Sequence, residues 1–411
     1  MRYHQWIAAL CTVVISLGSV LSVSADTVPE QIYDTESGES WEELTTFVPS
    51  QLAAVGTENT ALPEIGGKSS VLMELSTGKI LIANNEHEKL PIASVTKIMT
   101  LLLVMEAIDD GVLRLTDPVV CSATAASMGG SQIWLEEGES MTVHELLKAA
   151  VIVSANDACA ALAEKLCGSI EGFVARMNER AAELGMGDTH FLDCSGLNDE
   201  AVSSAHDVAL MSRELMRHDK IKEYTTVWMD TLRNGKSQLV NTNKLIRFYQ
   251  GATGLKTGTT SAAGHCLAAT AERGGIGFVA VVLGCKTTDE RFGGARKMLD
   301  YGFANYTLYR PEITLPKSGV PVLHGTERSV PLAMHAQDPI LLKKGDEKSI
   351  EFTVQLDSDV SAPVEKGQTL GRVVFTLRDE EIAAYPILAK KEVEKIGIGY
   401  ALRQLLCVLL A

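Results

Sequence analysis

The stretch Pro91-Ile92-Ala93-Ser94-Val95-Thr96-Lys97 leads into the most strongly apolar helical run of the chain, where Ile98, Leu101, Leu102, Met105 and Ile108 recur at helical period and Gly111 is placed to end it. A serine and a lysine three residues apart share a helix face, so the amine of Lys97 falls beside the hydroxyl of Ser94. Ser-x-x-Lys alone also describes a capping serine and a solvated lysine. Here the apolar run buries the lysine, and a buried amine gives up its proton more readily than a solvated one. Ser94 also lies where a helix begins, among free backbone N–H groups that favour negative charge growing on a bound acyl group. A nucleophile, a base and an anion-stabilising position together suit acyl transfer.

The 411 residues exceed one ordinary domain, and 46% hydrophobic with 5% aromatic content fits a globular protein of two domains with flanking segments. A formal net charge of -15, without any basic run, argues against nucleic acid as a partner. An anionic substrate would have to be met by a local cluster of cations. Residues 1–25 carry Arg2, an apolar stretch from Trp6 to Leu21, and Val23-Ser24-Ala25, the layout of a secretory signal; an uncleaved anchor is the other reading. Of the eight cysteines, Cys11 falls in the signal and Cys407 in the tail, while Cys159 and Cys266 sit in apolar runs. The set reads as mostly buried thiols. Neither Cys-x-x-Cys nor His-Glu-x-x-His occurs, so no metal or other cofactor is expected.

In chain order, residues 26–67 are acidic and polar, with Pro29, Pro49 and Pro63, and read as a linker. Strands at 70–75 and 79–83 flank Ser76-Thr77-Gly78, a hairpin signal. Thr142 and Glu145 have capping-box spacing ahead of Leu146, Leu147, Ala150 and Val151, a buried helix that stops at Ser154-Ala155-Asn156 before a second helix over 157–167. The Ser154/Asn156 pair reads either as an N-cap of that second helix or as side chains held at the wall of a site. Helical patterns return over 173–185 and 204–217, separated by the loop Asp193-Cys194-Ser195-Gly196-Leu197-Asn198. Lys256-Thr257-Gly258-Thr259 lies in the first of three antiparallel strands, and Arg291 precedes a helix running to Tyr306. Alternation at Ile350, Phe352, Val354 and Leu356, and again at Val373, Phe375 and Leu377, marks a small all-β unit. In the Leu-rich tail, too short to span a bilayer, Gly397, Tyr400 and Gln404 oppose Ile398, Leu402, Leu405 and Leu409. That is the pattern of a helix lying in a membrane interface, or of one packing on a domain. The expected fold class is α+β: signal 1–25, acidic linker 26–67, catalytic domain 68–310, β-rich domain 311–390 and amphipathic tail 391–411.

Ser94-Val95-Thr96-Lys97, Ser154-Ala155-Asn156 and Lys256-Thr257-Gly258, in that order, resemble the three motifs of the penicillin-recognising serine acyltransferases. With the export signal, the β-rich domain and the tail, the chain from about residue 69 looks like the low-molecular-weight penicillin-binding proteins, which are D-alanyl-D-alanine carboxypeptidases. The resemblance implies a β-lactamase/transpeptidase-like catalytic domain, an antiparallel sheet covered by helices with the site between sheet and helical lobe. It also implies a peptidoglycan stem peptide ending in D-Ala-D-Ala as substrate, β-lactams as covalent inhibitors, and a peripheral place on the extracytoplasmic face of the cell membrane. Roles follow in the same way. Ser94 would be the nucleophile, Lys97 its base, and Ser154 the proton donor to the departing D-alanine. Asn156 would hold the substrate amide, Lys256, Thr257, Gly258 and Thr259 would line the substrate from a strand, and Arg291 would help receive the free carboxylate. The N–H groups of Ser94 and Thr259 would form the oxyanion hole. For Arg291, a surface ion pair with a neighbouring acid is the plainer reading. A class A β-lactamase shares the three motifs but needs the glutamate of Glu-x-x-Leu-Asn, and Cys194 stands at that position ahead of Leu197-Asn198. A catalytically silent peptidoglycan-binding protein is the remaining alternative, opposed by intact Ser94, Lys97 and Lys256.

Overall fold

The computed structural model describes residues 62–400 together with Ile32–Tyr33, Leu402 and Leu409. The expected signal over 1–25 lies outside the described residues, as does most of the acidic linker. Two pieces of that linker are structured: Ile32–Tyr33 pair in parallel with Gln238 and Leu239, and the Glu64 carbonyl accepts from Lys297 Nζ at 3.0 Å.

Strands β1 (Ser69–Glu74) and β2 (Ile80–Asn84) form the expected hairpin. Its turn is fixed by Glu74, whose carboxylate accepts from the N–H groups of Ser76 and Thr77 at 2.9 and 2.6 Å. Helix α1 (Lys97–Asp109) follows a 3-10 turn, Ala93–Thr96. Nearly every side chain of α1 is buried, as a helix apolar all round must be. Thr142 and Glu145 form the capping box at the start of α2 (Val143–Ile152); α3 (Asn156–Cys167), α4 (Ile170–Glu183) and α5 (Ala205–Leu215) complete the helical lobe.

The expected strand trio is β3 (Ala252–Thr260), β4 (Gly264–Arg273) and β5 (Ile276–Cys285), and with the first hairpin it makes one antiparallel sheet in the order β2-β1-β5-β4-β3. Why β5 is apolar without a break follows from its surroundings. Phe278, Ala280 and Val282 face α6 (Thr288–Asn305), and Val279, Val281 and Leu283 face the core built on α1 and α5. Period-two alternation between two helical layers yields a continuous hydrophobic run. Arg291 does not precede α6 as expected. The helix begins earlier because Thr287 caps it, accepting from the Glu290 N–H, so Arg291 sits within the first turns.

Beyond α6, β6 (Tyr306–Tyr309) pairs with β7 (Ile340–Lys343), and β8 (Ile350–Leu356), β9 (Thr369–Leu377) and β10 (Glu380–Ala389) form a sheet closed by Leu332–Ala333. The alternating residues meet across it, Ile350 opposite Leu377, Phe352 opposite Phe375 and Val354 opposite Val373. The expected start of the tail at 391 needs correction. Val393 N donates to Val364 O, Thr326 N to Glu394 O and Ile396 N to His324 O, so the chain through Ile396 is laced to the β-rich unit. The helix expected beyond it lies mainly outside the described residues.

Candidate active site

Ser94 sits in the 3-10 turn, 8% exposed, immediately after Ala93, whose φ of 47° is strained for a residue with a Cβ. Lys97 opens α1 and is fully buried. Its Nζ donates to Ser94 Oγ at 2.8 Å and to the Ser195 carbonyl at 2.9 Å. The pairing read from the spacing is thus present as a hydrogen bond, and a second contact reaches across 98 residues to the loop at 193–198.

Two glycines clasp the turn. A Cβ on Gly258 of β3 would lie 2.7 Å from Ile92 O and 2.9 Å from both Ser94 N and Val95 N. A Cβ on Gly196 would overlap Ala93 O, and Gly196 has φ +83°. The nucleophile is therefore held between the sheet edge and the loop at backbone contact distance. Only glycine permits that on either side. β3 is the outermost strand of its sheet, with no strand paired to its far side among the described residues.

Ser154 lies between α2 and α3 with φ 64°, fully buried, and its Oγ has no hydrogen-bond partner among the described residues. The capping reading fails for this pair. The N-cap of α3 is Ala155, with no side-chain cap, and Asn156 is already the first helical residue. Asn156 is instead pinned to the neighbouring segment, its N donating to Ser131 O and its Nδ2 to Gly129 O, both at 2.7 Å, while its Oδ1 lacks a partner among the described residues. Asp157 explains the rigidity. Its buried carboxylate accepts from the N–H groups of Ile133 and Leu135, which holds residues 129–135 against α3. Burial pushes the Asp157 carboxyl up, against the pull of those amide donors.

Lys256 is buried on β3, with Nζ donating to the Thr257 carbonyl at 2.9 Å. Thr257 Oγ1 donates to Thr242 Oγ1 at 2.7 Å, and Thr242 N in turn donates to Ile152 O at the end of α2, which ties β3 to the Ser154 corner. Cys159, one turn past Asn156, registers the convergence. Burial pushes its thiol up to about 11, while the charges of Lys97 and Lys256 both act to lower it. Arg291 is 4% exposed and donates through Nη1 to Thr259 Oγ1 at 2.9 Å and to the Gly258 carbonyl at 3.3 Å, so the surface reading does not hold for it. Gly258 and Thr259 thereby lie between the nucleophile turn and a buried guanidinium. A chain of net charge -15 has gathered three cations around one strand edge.

The serines, lysines and strand residues singled out in the sequence are the ones described here, whereas Gly196, Asp157 and the Ser195 carbonyl were not singled out. These act through contacts far apart in sequence, and a lone glycine or a backbone carbonyl leaves no motif. Cys194 is buried beside the site and burial pushes its thiol far up, so the residue at the glutamate position of a class A β-lactamase supplies no base.

A serine hydrogen-bonded to a buried lysine, faced by a serine/asparagine corner and a lysine-bearing strand edge, defines a penicillin-recognising serine acyltransferase. Residues 56–287 match the D-alanyl-D-alanine carboxypeptidase family, peptidase S11, and residues 303–395 match the C-terminal domain of penicillin-binding protein 5. The chain is 43% identical over 362 residues to the D-alanyl-D-alanine carboxypeptidase DacF of Bacillus subtilis (strain 168), covering 86% of this chain and 92% of the relative. It is 33% identical over 363 residues to DacC of Escherichia coli (strain K12), covering 85% and 90%. The crystal structure of penicillin-binding protein 5 from Haemophilus influenzae superposes with a TM-score of 0.73 at 30% identity, covering 82% of this chain and 99% of that one. The chain belongs to the D-alanyl-D-alanine carboxypeptidase family and is a serine hydrolase of that activity. The β-lactamase and silent-protein readings are not favoured.

Proposed function

We propose that Ser94 attacks the carbonyl between the two terminal D-alanines of a peptidoglycan stem peptide while Lys97 takes its proton. The oxyanion forms between the N–H groups of Ser94 and Thr259. Ser154 passes the proton that Lys97 took on to the departing D-alanine amine, Asn156 holds the substrate amide, Lys256 and Arg291 receive the free carboxylate, and Thr257, Gly258 and Thr259 line the substrate from the strand. Water then hydrolyses the acyl-enzyme; a β-lactam acylates the same oxygen and leaves slowly. The observation that carries this reading is the buried Lys97 amine bonded to Ser94 Oγ at 2.8 Å. Support comes from the buried Ser154 Oγ and Asn156 Oδ1, polar atoms that lack a partner among the described residues and suit a bound peptide.

The recognition half is tested by comparing D-alanine release from a free-acid peptide and from the same peptide amidated at its C-terminus. The free acid is expected to react faster by roughly tenfold to a hundredfold, the worth of a charge-assisted hydrogen bond of about 1.5–3 kcal/mol. Lys256→Ala should narrow that preference. Equal rates on both peptides in the wild type would remove the carboxylate site from the proposal.

The same proposal includes the division into catalytic and β-rich domains, export through residues 1–25, and attachment to the membrane surface through the tail. Ile398, Leu402 and Leu409 are exposed, whereas Tyr400 turns inward, its hydroxyl donating to Thr326 O at 2.9 Å. An apolar face left outward beside a docked one suits an interfacial helix. Among the described residues no helix is long and apolar enough to cross a membrane. Removal of residues 397–411 is expected to move the protein from the membrane to the soluble fraction, and unchanged retention would reject the anchor.

A further inference from the structure

We infer that Asp193 is a positioning residue for the Ser94–Lys97 pair, setting through one short loop where the lysine amine points. The inference rests on the proposed role of Lys97 as base and extends it to a residue outside the three motifs.

Lys97 Nζ donates to Ser94 Oγ and to the Ser195 carbonyl at the core of the site. The second aims the amine, because a buried ammonium with one oxygen partner would swing about its stem. The Ser195 carbonyl is part of a loop with no secondary structure of its own, so something else must hold that peptide unit. Asp193 does so. Its Oδ1 accepts from Ser195 N at 2.6 Å and from Gly196 N in a short bond, and its Oδ2 accepts from Asn198 N at 2.6 Å. Three amide donors on one carboxylate wrap residues 193–198 around it. From the other side Thr100, three residues past Lys97 on α1, donates Oγ1 to the Cys194 carbonyl at 2.6 Å. The loop is therefore fastened to the same helix that carries the lysine. Gly196, fixed by the same carboxylate, is the residue whose absent Cβ allows contact with Ala93 O. One aspartate thus sets the loop against the nucleophile turn and the lysine amine together.

The test measures the second-order rate of acylation by a fluorescent penicillin in wild type, Asp193→Asn and Asp193→Ala, with circular dichroism and thermal unfolding on each. Asp193→Ala loses the acceptors for all three amides and is expected to acylate slower by roughly tenfold to a hundredfold, the effect of a misplaced catalytic group. Asp193→Asn keeps one amide oxygen for Ser195 and Gly196 and is expected to recover most of that loss. A loop that merely stabilised the fold would lower the thermal midpoint and leave the acylation rate of the folded protein unchanged. If the alanine variant fails to fold, Asp193→Asn decides, since it gives up the acceptor for Asn198 N and is expected to be slowed to a smaller extent. A wild-type rate in every folded variant overturns the inference, while undiminished acylation in Lys97→Ala overturns the underlying role of the lysine and is told apart by that variant alone.

Discussion

Ser94→Ala is expected to yield a folded protein that forms no adduct with fluorescent penicillin and releases no D-alanine above background. In the wild type, mass spectrometry should find a single adduct, on the peptide containing Ser94. Loss of a nucleophile in a serine hydrolase costs on the order of a millionfold in turnover. The fold should survive because the hydroxyl makes one bond, to Lys97, and the amine keeps the Ser195 carbonyl when it is gone. The competing nucleophiles nearby are Cys159 and Cys194. Burial pushes the Cys159 thiol up to about 11 and the Cys194 thiol further, so little thiolate exists at neutral pH to intercept the β-lactam. Retention of the adduct in Ser94→Ala, or its appearance on another residue, would overturn the assignment of the nucleophile.

Much of the fold was legible because its signals are local. The turn of the β1–β2 hairpin, the capping box of α2 and the alternation along β8 and along β9 each show within a single short run of residues. The three site segments were legible for the same reason, each being a short run on one element. What escaped was how they are joined. Asp157 reaches back to Ile133 and Leu135, Lys97 reaches forward to Ser195, and Gly258 and Gly196 approach the nucleophile turn from opposite sides. These contacts depend on tertiary approach, and no periodicity records them. The Ser154 corner illustrates the limit. A polar residue between two helices looks like a cap, yet the backbone there turns left-handed, the N-cap falls on Ala155, and Ser154 Oγ has no partner among the described residues. Arg291 errs in the opposite direction. It lies among acidic neighbours in sequence but is buried by α6 folding over the sheet.

Lys97→Ala is expected to acylate slower by roughly a hundredfold or more, the ordinary contribution of a general base. The structure makes two opposing statements about its stability. Removing an amine from a fully buried position relieves the cost of keeping that polar group out of water. It also leaves the Ser195 carbonyl and Ser94 Oγ without their donor, at about 1–3 kcal/mol for each buried group left unpaired. The two effects oppose each other, so the variant should keep its circular dichroism and a thermal midpoint near that of the wild type while losing its reaction with penicillin. Stopped-flow acylation alongside thermal unfolding separates chemistry from folding. A variant that unfolds would show both signals falling together, whereas loss of acylation in a folded protein places the lysine in the proton transfer. Acylation at the wild-type rate would mean that the hydroxyl is activated from elsewhere. Ser154 would then be a group to examine, because its hydroxyl is buried and has no partner among the described residues.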